Sequence, residues 1–226
     1  MPRHLPMKPR VHPCGTGGLM LDVASGPFSL PAQRRLWALV GAAGPLSQWK
    51  SLRSVVLGVN NLLVMFDPLR TNPQALALEL LQAWKSARPS RESGRVLEVP
   101  VVYDISRDSE LEGVARHAGL DVSEVIRLHT SAAYHVACIG SVPGFAYLVG
   151  LPSDLSMPRH TTPRPKIAKG TVAIGGAQTG VIPMDMPSGW HALGTTQLDM
   201  FDPSRARPCL LAPGDQIRFI ARSATR

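Results

Sequence analysis

The sequence predicts two consecutive domains: an α+β two-layer sandwich over residues 15–94, then an all-β barrel over residues 95–226 introduced by a helix pair. Three observations predict this. Apolar positions up to residue 87 follow a strand, helix, strand, strand, helix order. The polar stretch SARPSRESG, Ser86 to Gly94, reads as a linker. Beyond Ser131 the chain breaks into short apolar runs punctuated by Gly and Pro, the texture of a barrel or sandwich.

Residues 1–14 are basic and Pro-rich and read as a flexible arm. Gly18 to Val23 is the first strand. Pro31 to Ala43 is a helix, with Pro31 suited to the first turn and Leu36, Leu39 and Val40 on one face. Val55–Val59 and Leu62–Phe66 flank Asn60-Asn61, a pair that tolerates the left-handed backbone of a tight hairpin. Pro73 to Ala87 is a second helix through Leu76, Leu80 and Trp84. Arg95–Tyr103 then reads as a strand. Leu111, Val114, Ala115 and Ala118 form a helix stopped by Gly119, and Asp121 with Glu124 looks like a capping box opening the next. His129 falls on the inner face of that helix and reads as a satisfied histidine. Six runs follow: Tyr134–Ile139, Phe145–Val149, Thr171–Ile174, Gly180–Ile182, Trp190–Gly194 and Gln216–Ile220.

Composition excludes several classes. The net charge of +8 raises nucleic-acid binding, but the basic residues are dispersed and no aromatics interleave with them, so a basic solvated surface is expected. The same field favours a small anionic substrate. Cys14, Cys138 and Cys209 form no CxxC pair, which argues against a disulfide framework or a zinc site. There is no signal-peptide pattern and no apolar run of membrane-spanning length, so the expected compartment is the cytoplasm, without membrane or nucleic-acid partners.

The common phosphate-loop, zinc-protease, nucleophile-elbow and calcium-loop motifs are absent. No two of the seven histidines stand at metal spacing, and no metal is expected. His160 and His191 lie in the Gly/Pro-rich half without a nameable carboxylate partner. The stretch Pro143–Thr195 stands out. Gly144, Gly175, Gly176, Gly180 and Gly189 permit sharp turns and close approach, and its prolines stiffen loops. Arg159, Thr162, Arg164, Lys166, Gln178 and Thr179 could hold an anion. Composition alone leaves open whether these are ligand loops or barrel turns.

Five ordered blocks carry a resemblance. Pro143–Leu151 reads P-G-F-x-Y-L-x-G-L and Pro158–Arg164 reads P-R-x-x-T-P-R. Gly170–Pro183 contains V-A-I-x-G-x-Q-T-G. Pro187–Thr195 holds G-W-x-x-x-G-T, and Leu211–Phe219 holds L-x-P-G-D. The chain resembles the family of 5-oxoprolinase B subunits, also known as the kinase A inhibitor or allophanate hydrolase subunit 1 family. The resemblance covers about residues 96–220. It departs at Asp104-Ile105-Ser106, at Ser188 and at Ile182, where the family has Gly-Gly, Gly and Tyr.

The resemblance implies that the barrel is cyclophilin-like. It implies an ATP-dependent complex, with Mg-ATP, that opens 5-oxo-L-proline to L-glutamate. This chain would act in the phosphorylation step with a C-type barrel protein and an A-type protein, and be inactive alone. It implies no biotin attachment here, because A-M-K-M is missing. Arg159 and Arg164 are then candidates for a carboxylate or phosphate, with Thr162 beside them, and Gln178 and Thr179 for orienting the amide. Pro143, Gly144, Phe145, Tyr147, Gly176, Gly180, Gly189 and Trp190 would form the cleft. The family leaves two alternatives: a histidine-kinase inhibitor, and a component of a urea or allophanate carboxyltransferase.

Overall fold

The computed structural model describes residues 8–23, 28–41, 43–89 and 94–222. The chain forms two compact units, Met1–Ser93 and Gly94–Arg226.

In the first unit, β1 (Arg10–Pro13), β2 (Gly18–Asp22), β3 (Leu52–Leu57) and β4 (Asn61–Phe66) form an antiparallel sheet in the order β1-β2-β4-β3. Helices α1 (Leu30–Val40) and α2 (Pro73–Ser86) share its core. Alternation along the strands sends Leu19, Leu21, Leu62, Val64 and Phe66 inward, where they meet Leu36, Leu39, Leu76, Leu80 and Trp84. Full burial of such side chains stabilises by roughly 1.5–3 kcal/mol each. Asn72 caps α2 by accepting from the amides of Gln74 and Ala75 at 2.9 and 3.0 Å. Only Asn60 of the asparagine pair turns left-handed (φ 56°); Asn61 already begins β4.

Two expectations are corrected in part. The arm expected over residues 1–14 is strand at Arg10–Pro13, paired in register with Asp22–Leu19, because those residues offer the sheet an extended edge; residues 1–7 lie outside the described residues. The linker expected over Ser86–Gly94 begins as the last residue of α2, and residues 90–93 lie outside the described residues.

The second unit contains β5 (Val96–Tyr103), α3 (Glu110–Ala118), α4 (Val122–Ser131), β6 (Tyr134–Ile139), β7 (Ala146–Val149), β8 (Arg164–Ile167), β9 (Thr171–Gly175), β10 (Gln178–Val181), β11 (Met186–Ser188), β12 (His191–Thr195) and β13 (Gln216–Arg222). Seven of these strands close a barrel in the order β10-β7-β6-β13-β5-β12-β9, and β8 and β11 form a separate two-stranded ribbon. The β13–β5 pairing is parallel and joins the two ends of the unit. Asp215 clasps that junction: its carboxylate accepts from the Arg95 amide, the Arg95 guanidinium and the Ala212 amide. The L-x-P-G-D block therefore has a structural task.

Val99, Val101, Leu148, Val172, Ile174, Leu193, Ile217 and Phe219 fill the barrel, joined by Leu111, Val114, Ala115 and Val125 from the helices. Gly119, at φ 67°, ends α3 as expected of a left-handed stop. The capping box expected at Asp121 does not form. The Asp121 side chain makes no cap hydrogen bond, and the Glu124 carboxylate is taken by Arg127 at 2.6 and 2.7 Å.

Candidate functional site

Strand alternation builds the site. In β9, Val172 and Ile174 point into the barrel, while Ala173 belongs to a second core on the outer side. Phe145, Ile167, Ile182 and Trp190 make up that core, with Tyr147 beside them. The Phe145 ring lies edge-on to Tyr147 at 4.9 Å and to Trp190 at 5.3 Å. Gly175 is required here. A Cβ at that position would stand 2.8 Å from the Trp190 ring.

The polar part rises around this aromatic cluster. The Arg159 guanidinium sits 5.4 Å from the centre of the Trp190 ring. The Arg164 guanidinium donates to the Trp190 carbonyl and pairs with Glu110. Glu110 opens α3, and its other oxygen accepts from the Ala192 amide at 2.5 Å. His160 Nε2 stands 3.7 Å from Glu110 Oε1, and the His160 and His191 rings are 3.9 Å apart. His191 Nε2 donates to the Pro158 carbonyl at 2.8 Å. Burial holds His191 below the usual imidazole range; the Pro158 bond works the other way, and His160, Arg164 and His117 add to the lowering. Burial also pulls Arg164 down from its ordinary value. Among the described residues, His160 Nε2 and Arg164 Nε are buried atoms without a hydrogen-bond partner.

The residues singled out from sequence therefore separate. Arg159, Arg164, Phe145, Tyr147, Gly189 and Trp190 come together. Pro143 and Gly144 form the β6–β7 turn, Gly144 at φ 81°. Gly176 turns β9 into β10, Gly180 lies in β10, and Thr162 is exposed in the loop before β8. Gln178 is half-buried at the start of β10. Thr179 is fully buried: its hydroxyl donates to the Ala173 carbonyl at 3.0 Å and accepts from His129 Nε2 at 3.2 Å. Its polar atoms face the barrel core, so a contact with substrate is not available to it.

Glu110 carries no local sequence signal, and the expectation of no metal rested on spacing along the chain. Glu110, His160 and His191 each bring a ligand-capable atom within 4.8 Å of the others. The one sequence signal was a pair of histidines in loop-rich sequence; the carboxylate comes from a helix start 50 residues earlier. Cys138 is buried and free, its thiol pushed up to about 11, as expected of a core cysteine.

Residues 9–211 match the family described as carboxyltransferase domain, subdomain C and D. The chain is 39% identical over 198 residues to the 5-oxoprolinase B subunit of Escherichia coli O157:H7, covering 86% of this chain and 88% of that protein. It is 40% identical over 194 residues to the protein of the same name in Haemophilus influenzae, covering 86% and 89%. Among solved structures, TTHA0988 superposes with a TM-score of 0.76 at 35% identity over 92% of this chain, which spans only 40% of that longer protein. The urea amidolyase of K. lactis superposes with a TM-score of 0.78 at 19% identity, a likeness of fold alone, over 97% of this chain and 15% of that one.

Proposed function

The chain belongs to the family of 5-oxoprolinase B subunits, and from that premise we propose that it acts within an ATP-dependent complex that opens 5-oxo-L-proline to L-glutamate. The observation that carries this is the extent of the likeness: both relatives of that name align over 86% of this chain and nearly nine-tenths of their own length. In this reading the first unit is the family's two-layer sandwich and the second its cyclophilin-like barrel. The chain works in the cytoplasm, is inactive alone, and serves the phosphorylation step beside a C-type barrel protein and an A-type protein.

An unstrained lactam is a poor electrophile. Phosphorylating its amide oxygen creates a leaving group, and catalysis must stabilise charge on that oxygen and on the phosphoryl group. Arg159 is the cation suited to the substrate carboxylate or a phosphate. Among the described residues it forms no ion pair, and it lies over the Trp190 ring. Arg164 is already compensated by Glu110, so it positions the carboxylate and the loop carrying Trp190. Gln178 is the group suited to orient the amide. ATP, as Mg-ATP, supplies the phosphoryl group. The sequence holds no G-x-x-x-x-G-K-[ST] phosphate loop, and the nucleotide site would be shared with a partner chain.

The test is reconstitution with C-type and A-type partners. ATP-dependent release of glutamate from 5-oxoproline is expected, with none from the chain alone. A complete complex that releases no glutamate sinks the reading.

A further inference from the structure

We propose that Glu110, His160 and His191 form a binding site for a divalent ion of zinc type. The proposal goes beyond the oxoprolinase reading and does not depend on it.

Two imidazoles and a carboxylate are a donor set that suits zinc-like ions and suits hard magnesium poorly. Tetrahedral arms of about 2.0–2.1 Å would put ligand atoms roughly 3.3 Å apart. His160 Nε2 and Glu110 Oε1 are already 3.7 Å apart, and one atom from each of the three residues lies within 4.8 Å of the others. Small rotations of the partly exposed Glu110 and His160 side chains close the remainder.

The hydrogen bonding is that of ligands awaiting an ion. The Nε2–H of His191 is held by the Pro158 carbonyl, which leaves its Nδ1 lone pair free in the neutral ring. Glu110 is oriented by the Ala192 amide on Oε2 and by Arg164 on Oε1, the oxygen that also faces His160. Each of those ligands is thus fixed by an outer partner, the usual arrangement around bound metals. His160 Nε2 is the exception. It is shielded from solvent, faces Glu110, and has no hydrogen-bond partner. A buried nitrogen left this way is unfavourable, and an ion at the centre of the three groups removes that penalty. Arg164 sits beside the site as an opposing charge. It weakens affinity for a dication but also holds the carboxylate in place.

The site is tested by binding rather than turnover. The full chain, stripped with chelator, is titrated with Zn2+, Co2+ and Mg2+ and followed by calorimetry and the visible absorption of bound Co2+. One equivalent of Zn2+ and tetrahedral-type Co2+ bands are expected, with no comparable Mg2+ binding. His160→Ala and Glu110→Gln, checked for folding by circular dichroism, should weaken Zn2+ at least about 10-fold, since even loss of an outer-shell partner does so. His12→Ala, in the other unit, should leave it unchanged. Absence of Zn2+ binding overturns the proposal. So does binding that survives in folded His160→Ala and Glu110→Gln, which would mark attachment at other histidines.

Discussion

The second unit holds two histidine arrangements built on opposite principles. His129 is sealed in the barrel, and its polar atoms are all used. Tyr103 donates to its Nδ1 at 2.7 Å, its Nε2 donates to Thr179, and Tyr134 donates to its carbonyl. Phe219 stacks on its ring at 4.5 Å. His160 and His191 lie at the rim, packed on each other beside a carboxylate, with one nitrogen left over. Complete satisfaction is what a fold demands of a buried polar group. At the rim that demand is unmet at His160 Nε2 among the described residues.

The largest effect should come from breaking the sealed arrangement. His129→Ala leaves a cavity and strands the Tyr103 hydroxyl, and should destabilise the second unit by about 3–5 kcal/mol in urea unfolding. Loss of Arg159 should fall wholly on the rim. Arg159→Ala in the reconstituted complex should raise KM for 5-oxoproline by roughly 10- to 150-fold, the equivalent of about 1.5–3 kcal/mol for a charged hydrogen bond. Its urea midpoint should not move. An unchanged KM would remove Arg159 from the substrate site.

The pH dependence sharpens the contrast further. Burial pushes His129 down to about 3, against about 6.5 for an exposed imidazole. As pH falls the unfolded chain takes up this proton first. Stability should therefore be unaffected by His129 above about pH 6.5 and decline towards pH 3, by at most about 1.4 kcal/mol per pH unit. A flat stability curve between pH 6 and 4 would mean that His129 is not sealed. The smallest stability effect is expected at the rim. His160→Ala should cost under about 0.5 kcal/mol, because it leaves no cavity and no stranded partner, while weakening Zn2+ binding.

The sequence made the elements legible where a physical rule is local. The 3.6-residue recurrence of Leu76, Leu80 and Trp84 defines α2, and Gly119 stops α3. Where two local rules compete, the reading slips. Asp121 and Glu124 look like a capping box, yet Arg127 claims Glu124. Arg10–Pro13 looks like loose chain until a sheet edge is available to pair with it.

Of the candidate site, the Gly/Pro-rich loops, Trp190 and the arginines were visible because their residue types announce turns and anion contacts. What the arginines do was not. One is neutralised by Glu110 and the other is left over a ring.

By itself, then, the sequence determined the helices and most of the strands, the change of texture after Ser131 and the blocks that tie the chain to its family. All of these rest on hydrogen bonds and periodicities spanning a few residues. Only the tertiary structure decided that β5 and β13 pair in parallel to close the barrel. It alone sealed Thr179 inside and drew Glu110, His160 and His191 together from a helix start, a loop and a strand. Barrel closure fixes those distances, and no spacing along the chain encodes them.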